Sequence, residues 1–291
     1  MSPSLAERLR QAPRRLRQAL FRDRMGIALY PDRLVITRTG NGLRRRVKHK
    51  EMPGFAPAAQ GVAIWQPAVD ALAALPAGTL EDTEVTLVLS NHFVRYVLVP
   101  ASDALGGKDE ADAFARHCFE RVYGSDSKGW TLKSSLADPK QARLACAVEQ
   151  PLIDALENRL AALKVRYRSL QPHLMVGFNR VRSRLGTLPA WLAVVEPGLV
   201  CLGLLQGGQW QSISAFKVGT NWQEELSALI AREECMVDCD SACERVLVLA
   251  PDVPRLQLPR ADRRNFEALL PGAIAGLDAE LDASYCIAIG V

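Results

Sequence analysis

Cys235, Cys239 and Cys243 recur at intervals of four, with Asp238 and Asp240 close by. A continuous helix would set the three thiols along one face, where they could hold a soft metal ion or cycle as a redox group. Zinc sites usually use paired Cys-x-x-Cys steps or added histidine, and no histidine lies near in sequence. Unrelated thiols at a helix end are the competing reading, so no metal is expected and the three cysteines stand only as candidates. Nucleophilic catalysis finds no support, because the chain has neither a Gly-x-Ser-x-Gly elbow nor a P-loop. His117 and Cys118 are neighbours, which on a helix point about 100° apart and cannot form a dyad. His92 and His173 fall in turn-like positions, where capping or solvent contact is expected. The remaining chemistry sits in two turns, Tyr30-Pro31-Asp32 and Glu196-Pro197-Gly198, each setting an acid beside a proline.

The elements around those turns repeat. Gly26 to Tyr30, a turn at Pro31-Asp32, then Arg33 to Thr39 reads as strand–turn–strand, with a third strand from Leu43. Trp191 to Val195, a turn, then Leu199 to Leu205 reads the same way, with a third strand, Trp210 to Lys217, after the Gly207-Gly208 hairpin. Strands are expected at Val85–Leu89, Phe93–Val99, Trp130–Ser134, Arg143–Glu149, Tyr167–Leu170 and Arg245–Leu249. Helices are expected at Ala63–Leu75, at Asp109–Tyr123 with Ala113, Phe114, Cys118 and Val122 on one face, and at Leu152–Leu163. Further helices are expected from Pro172 to Arg184, Trp222 to Cys235 and Asp262 to Leu269, before a final apolar segment, Tyr285–Val291. Strands alternating with helices, opened by hairpins, define an α/β protein with mixed sheets. The organisation expected is a leader at residues 1–24, a first lobe with an inserted subdomain at 25–186, and a second lobe at 187–291.

At 291 residues, 48% hydrophobic and 23% charged, the chain has ample core and is not of disordered composition. No apolar run reaches the length of a membrane span, and the N-terminus lacks the apolar stretch of a secretory signal. Seven cysteines, an odd number, fit a reducing compartment, with Cys146 and Cys201 in apolar runs as core residues. A cytoplasmic location follows. The net charge of +4 hides a polarity: residues 1–24 carry seven arginines against Glu7 and Asp23, which leaves the rest at −1. Arg8, Arg10, Arg14, Arg15, Arg17, Arg22 and Arg24 share segment 4–24 with Leu5, Leu9, Leu16 and Leu20, an amphipathic helix or two interrupted by Pro13. The leader reads as a solvated helix, as a contact for acidic headgroups or an acidic partner, or, last in order, as a nucleic-acid tail.

Three phrases carry a family resemblance. They are His92-Phe93-Val94-Arg95-Tyr96-Val97-Leu98-Val99-Pro100 before an acidic helix, Leu144-Ala145-Cys146-Ala147-Val148-Glu149-Gln150 before the 151–163 helix, and Tyr285-Cys286-Ile287-Ala288-Ile289-Gly290-Val291. In their order, over about residues 25–291, they resemble the actin-like ATPase superfamily. Within it they resemble the pilus and secretion branch: PilM, MshI-type pilus biogenesis proteins and the cytoplasmic domain of GspL. The resemblance implies a bilobed actin-like fold, a duplicated ribonuclease H-like unit. In catalytic members each hairpin turn is an Asp-x-Gly-type loop, whose glycine admits phosphate to backbone N–H groups and whose carboxylate organises Mg²⁺ and water.

This chain departs from that pattern in three loops. Tyr30, Pro31 and Asp32 offer neither glycine nor an acid at the strand end, and Pro31 has no N–H. Glu196, Pro197 and Gly198 keep an acid and a glycine but insert proline, and the adenosine loop, with paired glycines in the family, reads Ala250-Pro251-Asp252. The expectation is a degenerate site with no cofactor and no enzymatic activity. The implied function is a cytoplasmic adaptor, peripheral to the inner membrane, that binds a cytoplasmic segment of a pilus or secretion subunit. The alternatives are an ATPase binding Mg-ATP through variant loops and a basic-tailed nucleic-acid adaptor.

Overall fold

The computed structural model describes residues 23–40, 46–76, 78–81, 83–103, 105, 107–134, 141–163, 165–237, 243–259 and 263–291. The first lobe is built from β1 (Asp23–Leu29), β2 (Leu34–Gly40), β3 (Arg46–Glu51), helix α1 (Gln66–Ala73), β4 (Thr83–Leu89) and β8 (Arg166–Pro172). Between β4 and β8 lie β5 (Val94–Val99), α2 (Lys108–Tyr123), β6 (Trp130–Ser134), β7 (Arg143–Glu149) and α3 (Gln150–Ala162). After α4 (His173–Leu185) the second lobe runs β9 (Ala190–Glu196), β10 (Leu199–Gln206), β11 (Gln209–Lys217), α5 (Trp222–Glu234), β12 (Arg245–Leu249), β13 (Asn265–Ala268) and α6 (Ala283–Ala288).

The duplication seen in the hairpins extends through both sheets. Their strand orders are β3-β2-β1-β4-β8 and β11-β10-β9-β12-β13. In each, a three-strand antiparallel meander is continued by two strands parallel to its first member. The central strands need apolar residues on both faces, and β1, β4, β9 and β12 supply near-continuous buried runs. A third sheet, β5-β7-β6, carries α2 and forms the inserted subdomain.

Several local expectations are corrected. Segment 262–269 was expected as a helix, but Asn265–Ala268 is the edge strand β13, short and mostly exposed, so no apolar alternation marks it. Helix α2 buries Ala111, Ala115, Cys118 and Phe119, a stripe rotated from the expected face, and leaves Val122 61% exposed. The leader's expected helix does not include its last two residues: Asp23 and Arg24 open β1, and Arg24 pairs with Glu84 at 3.6 Å. Arg8, Arg10, Arg14, Arg15, Arg17 and Arg22 lie outside the described residues. The basic run on β3 is partly neutralised within the molecule, through Lys48–Asp23 at 2.7 Å and Lys50–Asp282 at 2.6 Å. Burial alone would raise the Asp23 carboxyl pKa, but bonds from Lys48 and Arg38 outweigh it and hold that group below the usual range.

Two helices cross between the lobes. Helix α4 follows the first sheet, yet Phe178 packs on the Trp210 ring at 5.0 Å and Gly177 nestles against Val194 and Leu249 of the second. Helix α6 follows the second sheet but packs on β1, β2 and β4 of the first. Gly26 makes that approach possible, since a Cβ there would stand 2.2 Å from the Ala288 carbonyl oxygen. Thr37 Oγ1 donates to the Tyr285 carbonyl at 3.2 Å and fixes the helix along β2. Among the described residues no helix is long and apolar enough to cross a membrane.

Candidate functional site

Three loops meet where the lobes face each other. In the β1–β2 turn, the Tyr30 N–H donates to the Arg33 carbonyl at 3.0 Å, which folds the turn tightly and buries the Tyr30 ring. The Arg33 guanidinium lies 4.1 Å above that ring, a cation–π contact that holds it in place. From there Arg33 donates to Asp32 Oδ1 at 2.8 Å and reaches across to Asp252 Oδ2, also 2.8 Å away. The second contact is an ion pair whose angles fall outside hydrogen-bond geometry. Asp252 belongs to the loop after β12, and its Oδ1 lies 2.7 Å from Ser284 Oγ at the start of α6. Burial pushes the Tyr30 phenol well above its ordinary pKa, and the negative charges of Asp252 and Glu196 add to the shift, so the ring stays neutral.

The second hairpin turn is fastened separately. Gly198 adopts φ +80°, which a side chain would strain, and this lets the chain reverse directly after Pro197. Glu196, at the end of β9, is 1% exposed. Its Oε1 accepts from the Asn91 N–H at 2.8 Å and lies 3.3 Å from His173 Nδ1; its Oε2 accepts from the Ser90 hydroxyl. Asn91 continues the network, its Oδ1 accepting from the Tyr96 hydroxyl at 2.6 Å and the Leu174 N–H at 3.0 Å. His92 Nε2 lies 3.0 Å from the Pro197 carbonyl oxygen. Buried charge is tolerated only when paired and hydrogen-bonded, and Glu196 meets that condition entirely through first-lobe partners.

These contacts determine what the cleft can do. A Mg-phosphate site needs free carboxylate oxygens and free N–H donors. Here Asp252 is held by Arg33 and Ser284, Arg33 also takes one oxygen of the half-exposed Asp32, and both Glu196 oxygens are taken up by Ser90 and Asn91. A cavity of about 360 Å³ persists beside the second turn, lined by Pro197, Gly198, Thr220, Trp222 and Val253 among others.

A larger depression, about 690 Å³, runs between the inserted subdomain and the second lobe, along β5 and β11. Each is the outermost strand of its sheet, and among the described residues no backbone hydrogen bond joins them. Arg95, Tyr96 and Tyr123 line one wall, Phe216, Lys217 and Arg232 the other.

The candidates read from sequence therefore divide. The loops at Tyr30–Asp32, Glu196–Gly198 and Ala250–Asp252 do converge. Cys235 and Cys243 do not share a helix face, because α5 ends at Glu234, Cys235 caps it, and Cys243 lies just before β12; Cys239 is outside the described residues. No metal-binding cluster of His, Cys, Asp or Glu occurs among the described residues. Burial pushes the Cys146 thiol up to about 11, in keeping with a core residue and against a nucleophile. His173, expected to cap or to contact solvent, is fully buried with its Nδ1 3.3 Å from Glu196 Oε1. Ser90, Asn91 and Arg33 were missed as site residues, and the only signal was a polar Ser-Asn-His step between two apolar strands.

No protein-family model matches the chain, and no curated protein matches it. Solved structures do. One is the cytoplasmic domain of EpsL, an inner-membrane component of the type II secretion system of Vibrio cholerae: TM-score 0.56 at 12% identity, over 91% of this chain and 92% of that one. Another is the PilM–PilN type IV pilus biogenesis complex: TM-score 0.61 at 13% identity, over 92% and 96%. A third is a Bacteroides thetaiotaomicron protein of unknown function with an actin-like ATPase fold: TM-score 0.51 at 9% identity, over 82% and 84%. The duplicated sheets, the crossing helices and these likenesses give one answer: the chain has the bilobed actin-like fold that these structures share.

Proposed function

We propose that this protein is a non-catalytic actin-like adaptor of a type IV pilus-like or type II secretion-like assembly platform. It works at the cytoplasmic face of the inner membrane, peripheral to it, and binds a cytoplasmic segment of an inner-membrane subunit. The observation that carries the proposal is the interlobe cleft, where Arg33–Asp252 and Glu196 with Ser90, Asn91 and His173 occupy the groups a nucleotide would need. The proteins it resembles support the setting: one is the cytoplasmic domain of a secretion component, the other a pilus biogenesis complex. The arginines of the leader add a surface for acidic headgroups or an acidic partner. No cofactor is required.

The cavity beside Gly198 favours a second reading, an ATPase that holds Mg-ATP through variant loops. Thermal unfolding with millimolar Mg-ATP separates the two. The adaptor melts at the same temperature with and without nucleotide, whereas a rise of several degrees establishes binding and favours the ATPase. Co-purification of an inner-membrane pilus or secretion subunit with the tagged protein is the positive test.

A further inference from the structure

The end of the first sheet remote from the cleft concentrates positive charge. β1, β3, β4 and β8 start at this end and β2 finishes there. The three residues of each strand at this end include Arg24, Arg38, Arg46, Lys48, Arg166 and Arg168, against only Asp23 and Glu84. Glu81, just before β4, and Glu157, whose charge reaches Tyr167, still leave it positive. The second sheet is an internal control. The three residues of each strand at its matching end include only Arg245 and Glu267 as charges, 3.5 Å apart. The shared topology therefore does not require the charge.

Within the patch, Asp23 is engaged by Lys48 at 2.7 Å and Arg38 at 2.9 Å. Glu84 is shared by three guanidiniums, Arg24 at 3.6 Å, Arg166 at 3.3 Å and Arg168 at 3.7 Å. One carboxylate cannot neutralise three cations. The side chains of Arg166 and Arg168 are 58% and 37% exposed, and neither makes a hydrogen bond among the described residues. Their planar forks stay open to an outside anion and match the geometry of phosphate oxygens. Crowded like charge weakens the folded chain unless an anion meets it.

We infer that this end of the first lobe is the face that meets an anionic bilayer, with Arg166 and Arg168 on lipid phosphates. The inference rests on the part of the adaptor reading that sets the chain at the membrane, and names the face involved. The chain enters β1 from the same end, and the residues before it carry six more arginines among Leu5, Leu9, Leu16 and Leu20. A bilayer surface takes both kinds of residue, arginine at the phosphates and leucine at the acyl boundary. Nucleic-acid phosphates would use the arginines alone. The cleft turn lies at the other end of the seven-residue β1, so it stands roughly 20 Å off the headgroups.

The test sediments the full chain with vesicles of phosphatidylcholine, alone or with about one third phosphatidylglycerol. Binding is expected only to the anionic vesicles, and is lost at high salt. The Arg166→Gln/Arg168→Gln double variant should bind at least tenfold more weakly, since each arginine at such a surface contributes roughly fivefold. Both side chains lie at the rim and Glu84 keeps Arg24, so the variant should melt with the wild type, which separates lost binding from lost folding. Lys217→Gln/Arg232→Gln removes two exposed cations from the second lobe and should leave vesicle binding unchanged. Absence of binding to anionic vesicles, equal binding by the first variant and wild type, or an equal loss in the second variant overturns the inference. Tighter binding of duplex DNA than of vesicles, lost in the first variant, also overturns it, by making nucleic acid the occupant. The two readings fail separately. Vesicle binding without capture of any pilus or secretion subunit keeps the face and removes the adaptor. Capture of such a subunit by a chain that ignores the vesicles keeps the adaptor and removes the face.

Discussion

Glu196 concentrates the polar energetics of the molecule in one side chain. Replacing it with alanine would leave the Ser90 hydroxyl, the Asn91 N–H and His173 buried without their acceptor. The expected loss is about 3 kcal/mol, the scale on which breaking one side of a buried charged contact is felt. Glu196→Gln keeps an acceptor for one donor and should lose clearly less. Urea midpoints of the two variants measure the difference, and a Glu196→Ala protein as stable as wild type would show that the network does not hold the lobes. Of this arrangement the sequence made only part legible. Pro31 and Pro197 could be seen to deny the turns their N–H donors, since a proline carries that consequence locally. That Glu196 finds Asn91 could not be seen, because the partners stand 105 residues apart and meet only after both sheets have formed.

At the scale of elements, Gly26 is the most constrained position. A Cβ there would collide with the backbone of α6, which cannot move aside as a side chain can. Gly26→Ala is therefore expected to cost about 2 kcal/mol or more and to loosen α6. Faster protease cleavage within residues 283–291 would report it, and unchanged cleavage and stability would refute the close packing. Elements were legible where a period or a turn announced them: the paired hairpins, and α3 with Pro151 in its first turn. Those without such a signal were not. β13 is polar and four residues long, and α6 is buried on nearly every side, so neither shows the one-faced pattern that separates helix from strand.

The whole molecule is two copies of one topology, with α4 touching both sheets and α6 packed on the sheet of the other lobe. Because α4 braces the second sheet while α6 covers the first, neither lobe has a complete interface by itself. A single cooperative transition is expected, with far-UV circular dichroism and tryptophan fluorescence superimposing across urea. Trp65 reports on the first lobe and Trp191 and Trp222 on the second, so separated transitions would show that the lobes unfold independently. Truncation after Asp282 should lower both signals together, although α6 touches mainly the first sheet.

The placement of α6 on the first sheet also sets an order of events during synthesis. The first lobe's strands leave the ribosome early, but the residues that cover β1 and β2 are made near the far end of the sequence. Thr37 and its contact at Tyr285 are 248 residues apart, so at about 5–20 residues per second the nascent lobe waits roughly 12–50 s for its cover. During that interval an apolar sheet face stands open, and the growing chain depends on chaperones, or on its own second lobe, to stay out of aggregates.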